Sequence, residues 1–324
     1  MSTDMSAEQI GDVRTEPSST SRVSQVVSVS LGSSKGDFST TAQYLGQTFD
    51  IRRVGTNGDL KAYAEKLRSL DGQVDAIGLG GIDMYVYAGG KRYPFRDCVK
   101  LAKNVKTTPV VDGSGLKNTL ERMVMQQLQE QQVVDFNRSK TLVVCAVDRF
   151  GMAEAVAEEG GRVVYGDLMF NLGLPIAIRS FGQVKLLARI LLPVITRLPF
   201  TWVYPTGQKQ DWITPKFGKY YQWADIIVGD GHLIRRFMPE GADALAGKTI
   251  ITNTTTPAFR DELQARGLKR LVTTTPSFEG RSPGTNVMEG VLVAATGKRP
   301  DELSPDDYRM MIDDLGWKPE VTEF

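Results

Sequence analysis

Asp112 and Lys117 stand five positions apart around Gly113-Ser114-Gly115-Leu116, with Asn118 next in line. A lysine beside an aspartate at the start of a helix can have its proton affinity moved toward neutrality by desolvation and neighbouring charge, as a general acid/base requires. The N–H groups of a helix start also favour an anionic substrate group. The expected roles are therefore Lys117 as proton donor and acceptor, Asp112 as its orienting partner, and Ser114 and Asn118 as substrate contacts. His232, the only histidine, follows Gly229-Asp230-Gly231 and is a further candidate proton donor. A turn cap at Asp112, a solvated Lys117 and an ordinary first-turn histidine are the competing readings. With one histidine and only Cys98 and Cys145 as thiols, no bound zinc or other metal is expected.

A second constellation lies at the ends of apolar runs. Lys140 to Leu168 reads as a βαβ unit, and Asp167 stands about twenty residues past its first turn, where a carboxylate takes ribose hydroxyls. Of a glycine fingerprint, Asp148-Arg149-Phe150-Gly151-Met152-Ala153 keeps only Gly151 and the small Ala153. Three later runs end in small polar residues, at Gly229-Asp230-Gly231, Asn253-Thr254-Thr255 and Thr275-Pro276. Doubly wound sheets line their carboxyl-edge crevice in this way. The expected cofactor set is Asp148, Gly151, Asp167, Gly229, Asp230, Asn253, Thr254 and Thr255, holding NAD or NADP. NAD is slightly preferred because Asp167 would repel the extra phosphate, although Arg149 and Arg179 leave both open. Gly80 and Gly81, closing an earlier strand, and Asn286, at a late helix start, complete the expected substrate wall.

These residues need two units to position them. The pattern predicts an α/β chain with an N-terminal α/β substrate domain over 26–132 and a C-terminal Rossmann-like doubly wound parallel sheet over 138–298. A disordered tail over 1–25 precedes them, and a C-terminal helix and tail over 299–324 follows. Strands are expected at 26–31, 49–54 and 74–79, a hairpin around Gly89-Gly90-Lys91, and one long helix from Leu116 to about Gln131.

Bulk properties exclude several classes. The 39 basic and 38 acidic residues nearly cancel, so no nucleic acid is expected as a partner. Two cysteines and the lack of a signal-peptide pattern point to a cytoplasmic protein. The apolar run Val184 to Val203 is broken by Lys185, Arg189, Arg197, Pro193 and Pro199, so it reads as a buried helix rather than a span, with a lipid-like groove or membrane-surface contact as the alternative. No membrane partner is expected, and a homodimer follows only from the prevalence of such assemblies. The aromatic cluster Trp202, Tyr204, Trp212, Phe217, Tyr220, Tyr221 and Trp223 reads as a substrate lid or oligomer contact.

The runs ADIIVGDGHLIRRFMPE, KTIITNTTT, LVTTTPSFEGRSPGTNVMEG, AIGLGGIDMY and TPVVDGSGLKNTLE resemble a bacterial family labelled quinate 5-dehydrogenase. More distantly the plan is similar to shikimate and quinate dehydrogenases and to cyanobacterial acyl-carrier-protein reductases. The resemblance implies an NAD(P)-dependent oxidoreductase acting on a small hydroxy or carbonyl substrate, with Lys117 matching the lysine of the shikimate group. The alternative is a non-catalytic nucleotide-sensing or scaffold protein that kept the fold.

Overall fold

The computed structural model describes residues 22–44, 46–199, 213–275 and 282–324. Trp202, Tyr204 and Trp212 of the aromatic cluster, Phe278 to Arg281 of the late loop and residues 1–21 of the expected tail lie outside these. The first sheet is built from β1 (Ser24–Ser30), β2 (Phe38–Tyr44), β3 (Gln47–Gly55), β4 (Ala76–Gly80) and β7 (Val110–Val111). Between β4 and β7 lies the expected hairpin, β5 (Tyr85–Ala88) and β6 (Lys91–Pro94). Its strand order is β2-β3-β1-β4-β7, parallel throughout except for β2 at the edge. The apolar run of β1 is buried on both faces, as a central parallel strand must be. β1 starts inside the stretch expected to be a tail, and β2 has too few large apolar side chains to stand out in the sequence.

The second sheet contains β8 (Lys140–Val143), β9 (Arg162–Tyr165), β10 (Ile226–Gly229), β11 (Thr249–Thr252), β12 (Arg270–Thr273) and β13 (Glu320–Glu323). Its order is β9-β8-β10-β11-β12-β13, and only β13 is antiparallel. The α/β class and the doubly wound parallel sheet are thus observed. The parallel strands follow the flavodoxin-like 2-1-3-4-5 order, not the 3-2-1-4-5-6 order of dinucleotide folds, which corrects the Rossmann expectation. The order reverses between β8 and β10, and a crevice at their carboxyl ends is where such a sheet holds ligands.

Among the described residues the α-helices are α1 (Leu60–Leu70), α2 (Arg96–Ala102), α3 (Ser114–Asn118), α4 (Leu120–Glu130), α5 (Phe150–Glu159), α6 (Phe181–Ile195), α7 (Gly218–Trp223), α8 (Gly231–Phe237), α9 (Pro257–Gln264), α10 (Thr285–Thr296) and α11 (Pro305–Asp314). The single helix expected from Leu116 is broken at Thr119, whose hydroxyl donates to the Gly115 carbonyl at 2.7 Å. Tyr221 of the aromatic cluster is fully buried and donates to the Ile234 carbonyl, with Phe217, Tyr220 and Trp223 packed against the same core. The described part of that cluster is core packing, not a lid. Among the described residues no helix is long and apolar enough to cross a membrane.

α10 departs most from the expected division of the chain. Assigned from sequence to the second unit, it lies against the first sheet, where Val287 and Val291 pack with Val26, Phe49, Ile51 and Ala76. Gly290 permits this approach, since a Cβ there would sit 2.9 Å from Val26 Cγ1. Gly113 meets the start of α10 with φ 88°, and a Cβ there would collide with Thr285 and lie 2.7 Å from the Asn286 nitrogen. Gly113→Ala is therefore expected to lower urea-unfolding stability by about 2–4 kcal/mol, combining left-handed strain with overpacking.

Candidate functional site

The carboxyl ends of the two sheets meet in a cluster of six charged side chains. Asp83 follows β4, Lys117 lies on α3, Glu121 on α4, Asp148 and Arg149 follow β8, and Asp230 follows β10. Lys117 Nζ is 2.7 Å from Asp83 Oδ1 and 3.1 Å from Asp148 Oδ1, so it ties the first sheet to the second. Arg149 Nη1 reaches Glu121 Oε1 at 2.5 Å, its Nη2 reaches Asp230 Oδ2 at 2.6 Å, and its Nε lies 3.2 Å from Asp148 Oδ2. The break at Thr119 is what turns Lys117 and Glu121 into this one cluster from two separate short helices.

Burial dominates the electrostatics. Desolvation pushes the Glu121 carboxyl up to about 7, against the pull of Arg149 and Lys117. Asp83 also rises, because its desolvation outweighs Lys117. Asp148 moves the other way: burial opposes its charge, but Lys117 and Arg149 together more than offset it. Asp230, likewise desolvated, is held down at about 2 by Arg149. Lys117 is buried too, yet Asp148 and Asp83 raise its affinity for the proton above the ordinary lysine value. A lysine held charged is a poor base at neutral pH, which weighs against the expected proton-accepting role of Lys117.

The expected orienter is also elsewhere. Asp112 accepts from the backbone N–H groups of Met84, Tyr85 and Ser114, at 2.6, 3.0 and 3.0 Å, and so ties the hairpin to α3. His232 is exposed on the first turn of α8, where its backbone N–H donates to Asp230. Ser114 and Asn118 do line a depression beside Lys117, together with Tyr85, Tyr87, Asp148, Phe150 and Gly151. In this closed geometry the depression has room for about one water molecule.

The expected cofactor residues have structural work of their own. Asp167 accepts from the backbone N–H groups of Ala146 and Val147, at 3.1 and 2.8 Å, in the turn after β8. Gly151 lets α5 press on the α3 backbone, because a Cβ would sit 2.8 Å from the Lys117 carbonyl oxygen. Gly229, at φ 146°, packs over Val144 and Cys145, and Asp230 caps α8 through His232 and Leu233. The Asn253 carbonyl accepts from the Thr275 hydroxyl, the Thr254 carbonyl lies against Gly231, and Thr255 bonds Ser282. Of the expected substrate wall, Gly80 packs on Ser30, Gly81 packs on Leu31 with φ 71°, and Asn286 donates to the Ser28 hydroxyl at 2.7 Å. Among the described residues, no group of three or more His, Cys, Asp or Glu side chains is arranged to hold a metal.

Residues 115–324 match the model of a family described as Domain of unknown function (DUF8754). The chain belongs to the DUF8754 family. Residues 25–112 of this DUF8754 chain match a second model, Domain of unknown function (DUF8753). No curated protein matches. Similar solved structures include a sugar ABC transport substrate-binding protein from Bordetella parapertussis, 11% identical over 87% of this chain and 82% of that one, TM-score 0.35. A glucose-galactose binding protein from Geobacillus stearothermophilus is 11% identical over 93% and 98%, TM-score 0.36. A putative malic enzyme (malate oxidoreductase) is 12% identical over 92% and 84%, TM-score 0.35. Scores at this level leave the function of the DUF8754 chain to its own geometry.

These findings correct the resemblance to quinate 5-dehydrogenases. The families matched are of unknown function, and no curated dehydrogenase is similar. The reading as an NAD(P)-dependent oxidoreductase falls with it. The carboxylate assigned to the ribose is engaged by its own turn, and Arg149 after β8 pairs with Asp230 after β10. Sequence reasoning left Asp83 and Glu121 out of the site and weighed Arg149 only for the choice between NAD and NADP. For Glu121 a signal existed: it is an acid on the α4 face that buries Leu120, Val124 and Leu128.

Proposed function

We propose that the protein binds a small molecule rich in hydroxyl or amine donors at the junction of the two sheets, and that Lys117 latches the junction. The observation that carries this reading is the charge imbalance of the cluster. Four carboxyl groups, Asp83, Glu121, Asp148 and Asp230, face two cations, Lys117 and Arg149. With two more carboxyl groups than cations, and with Glu121 Oε2 buried without a hydrogen-bond partner, the cluster favours a bound proton or a cationic or hydroxyl donor from a ligand. Tyr87 lies beside these acceptors and suits the apolar face of a polyol, while Arg92 already stacks on the neighbouring Tyr85 ring, 3.4 Å from its centroid.

Because the closed geometry has so little room, binding requires the Lys117 bridge between Asp83 and Asp148 to open. Thermal unfolding in the presence of monosaccharides, polyols and primary amines tests the proposal. A bound ligand at roughly a hundred times its Kd adds about 2.7 kcal/mol and raises the midpoint. The Asp148→Asn variant is expected to lose that rise. A panel in which no compound moves the wild-type midpoint would sink the reading.

A further inference from the structure

α6 is apolar on two faces, and only one of them is used. Val184, Ala188 and Leu192 are buried in the cores beneath. Leu186, Ile190 and Val194, spaced i, i+4 and i+8, form a second stripe that is 59–60% exposed. The chain on either side continues the pattern, with Leu172, Leu174 and Ile176 before the helix and Leu198 after it, all exposed. A helix apolar nearly all round is normally buried, and an outward stripe of this kind marks an interaction surface.

The flanking charge indicates the partner. From Leu168 to Pro199 the chain has four basic residues, Arg179, Lys185, Arg189 and Arg197, and no Asp or Glu. All four are exposed, and among the described residues Lys185 pairs with Glu154 at 3.6 Å, the one ion pair these four make. Two copies of this face meeting across a two-fold axis would bring these cations together with no carboxylate in the segment to answer them. An apolar stripe with basic flanks is what an interfacial helix offers to anionic headgroups, and α6 at 15 residues lies on such a surface without spanning it.

We infer that α6 docks the protein on an anionic lipid bilayer. Leu186, Ile190 and Val194 enter the headgroup–acyl boundary while Arg179, Arg189 and Arg197 face the lipid phosphates. Co-sedimentation of the full chain with phosphatidylcholine vesicles, with and without phosphatidylglycerol, provides the test. Pelleting is expected to be roughly tenfold or more greater on the anionic vesicles at low salt, and to fall as salt screens the basic flank. Ile190→Asp, at an exposed position that leaves the core untouched, should abolish it. The double variant Arg189→Glu/Arg197→Glu should remove the preference for anionic vesicles. No pelleting on anionic vesicles, or pelleting unchanged by Ile190→Asp, overturns the inference. So does a dimer in sedimentation velocity that Ile190→Asp dissolves, which would give the face to a second copy of the chain.

Discussion

Arg149→Met is expected to cost about 3–5 kcal/mol of unfolding free energy, the penalty of leaving buried carboxylates without their cation. The residue is 4% exposed, Glu121 beside it is fully buried, and the pair is joined at 2.5 Å. Removing the guanidinium strands Glu121 at once and takes from Asp230 the group that holds its carboxyl ionised. Urea unfolding at neutral pH measures the loss. The paired change Arg149→Met/Glu121→Leu should recover part of it, because the stranded acid is then gone and a well-packed apolar pair can replace a buried ion pair. A single variant within 1 kcal/mol of wild type would show that water reaches the cluster and that the burial argument is wrong.

A second large effect is expected at the base of α10, as a dependence on pH. Glu289 is buried; its Oε1 accepts from the Tyr308 hydroxyl at 2.8 Å, and the Gly113 and Gly115 N–H groups also face its carboxyl. Desolvation, with Asp112 nearby, pushes its carboxyl up from 4.5 to about 7. A raised acid binds its proton more tightly in the folded state than in the unfolded one. The stability it contributes is therefore fully present below about pH 4.5 and is lost as pH climbs through 7. The difference amounts to about 3 kcal/mol for this group. Glu289→Gln copies the shape of the neutral form without titrating. Urea midpoints measured from pH 5 to pH 8 should fall less steeply for the variant than for the wild type. Parallel slopes for the two proteins would refute the assignment.

Much of the architecture could be read from periodicity alone. The apolar runs of β1, β4, β8, β10, β11 and β12 are central parallel strands, which bury both faces and so announce themselves. The edge strands β2 and β13 did not, because FSTTAQY and EVTE pair on one side only and need few large apolar groups. Strand order was equally invisible, since no local pattern says on which side of β8 the strand β10 will lie. At the site, the elements carrying Asp112, Lys117, Asp148 and Asp230 were placed correctly after their strands, yet the partners of Lys117 were not. Asp83 and Asp148 reach it from strands in different sheets, and a sequence pattern holds no information about contacts made by tertiary packing. Asp167 misled for a related reason: a carboxylate twenty residues past a βα turn can serve a ribose or the turn itself, and the residues alone do not distinguish the two.

The return of α10 to the first sheet bears on how the chain is made. During synthesis β7 emerges roughly 170 residues before α10, an interval on the order of 10–30 s at ordinary elongation rates. For that time the face formed by Val26, Phe49, Ile51 and Ala76 lacks its native cover. The boundary between the two family models falls at residues 112–115, yet α10, on the far side of it, covers a face of the first sheet. A chain truncated before α10 is expected to leave this apolar face uncovered and to aggregate more readily than the full chain, which light scattering of the two would show.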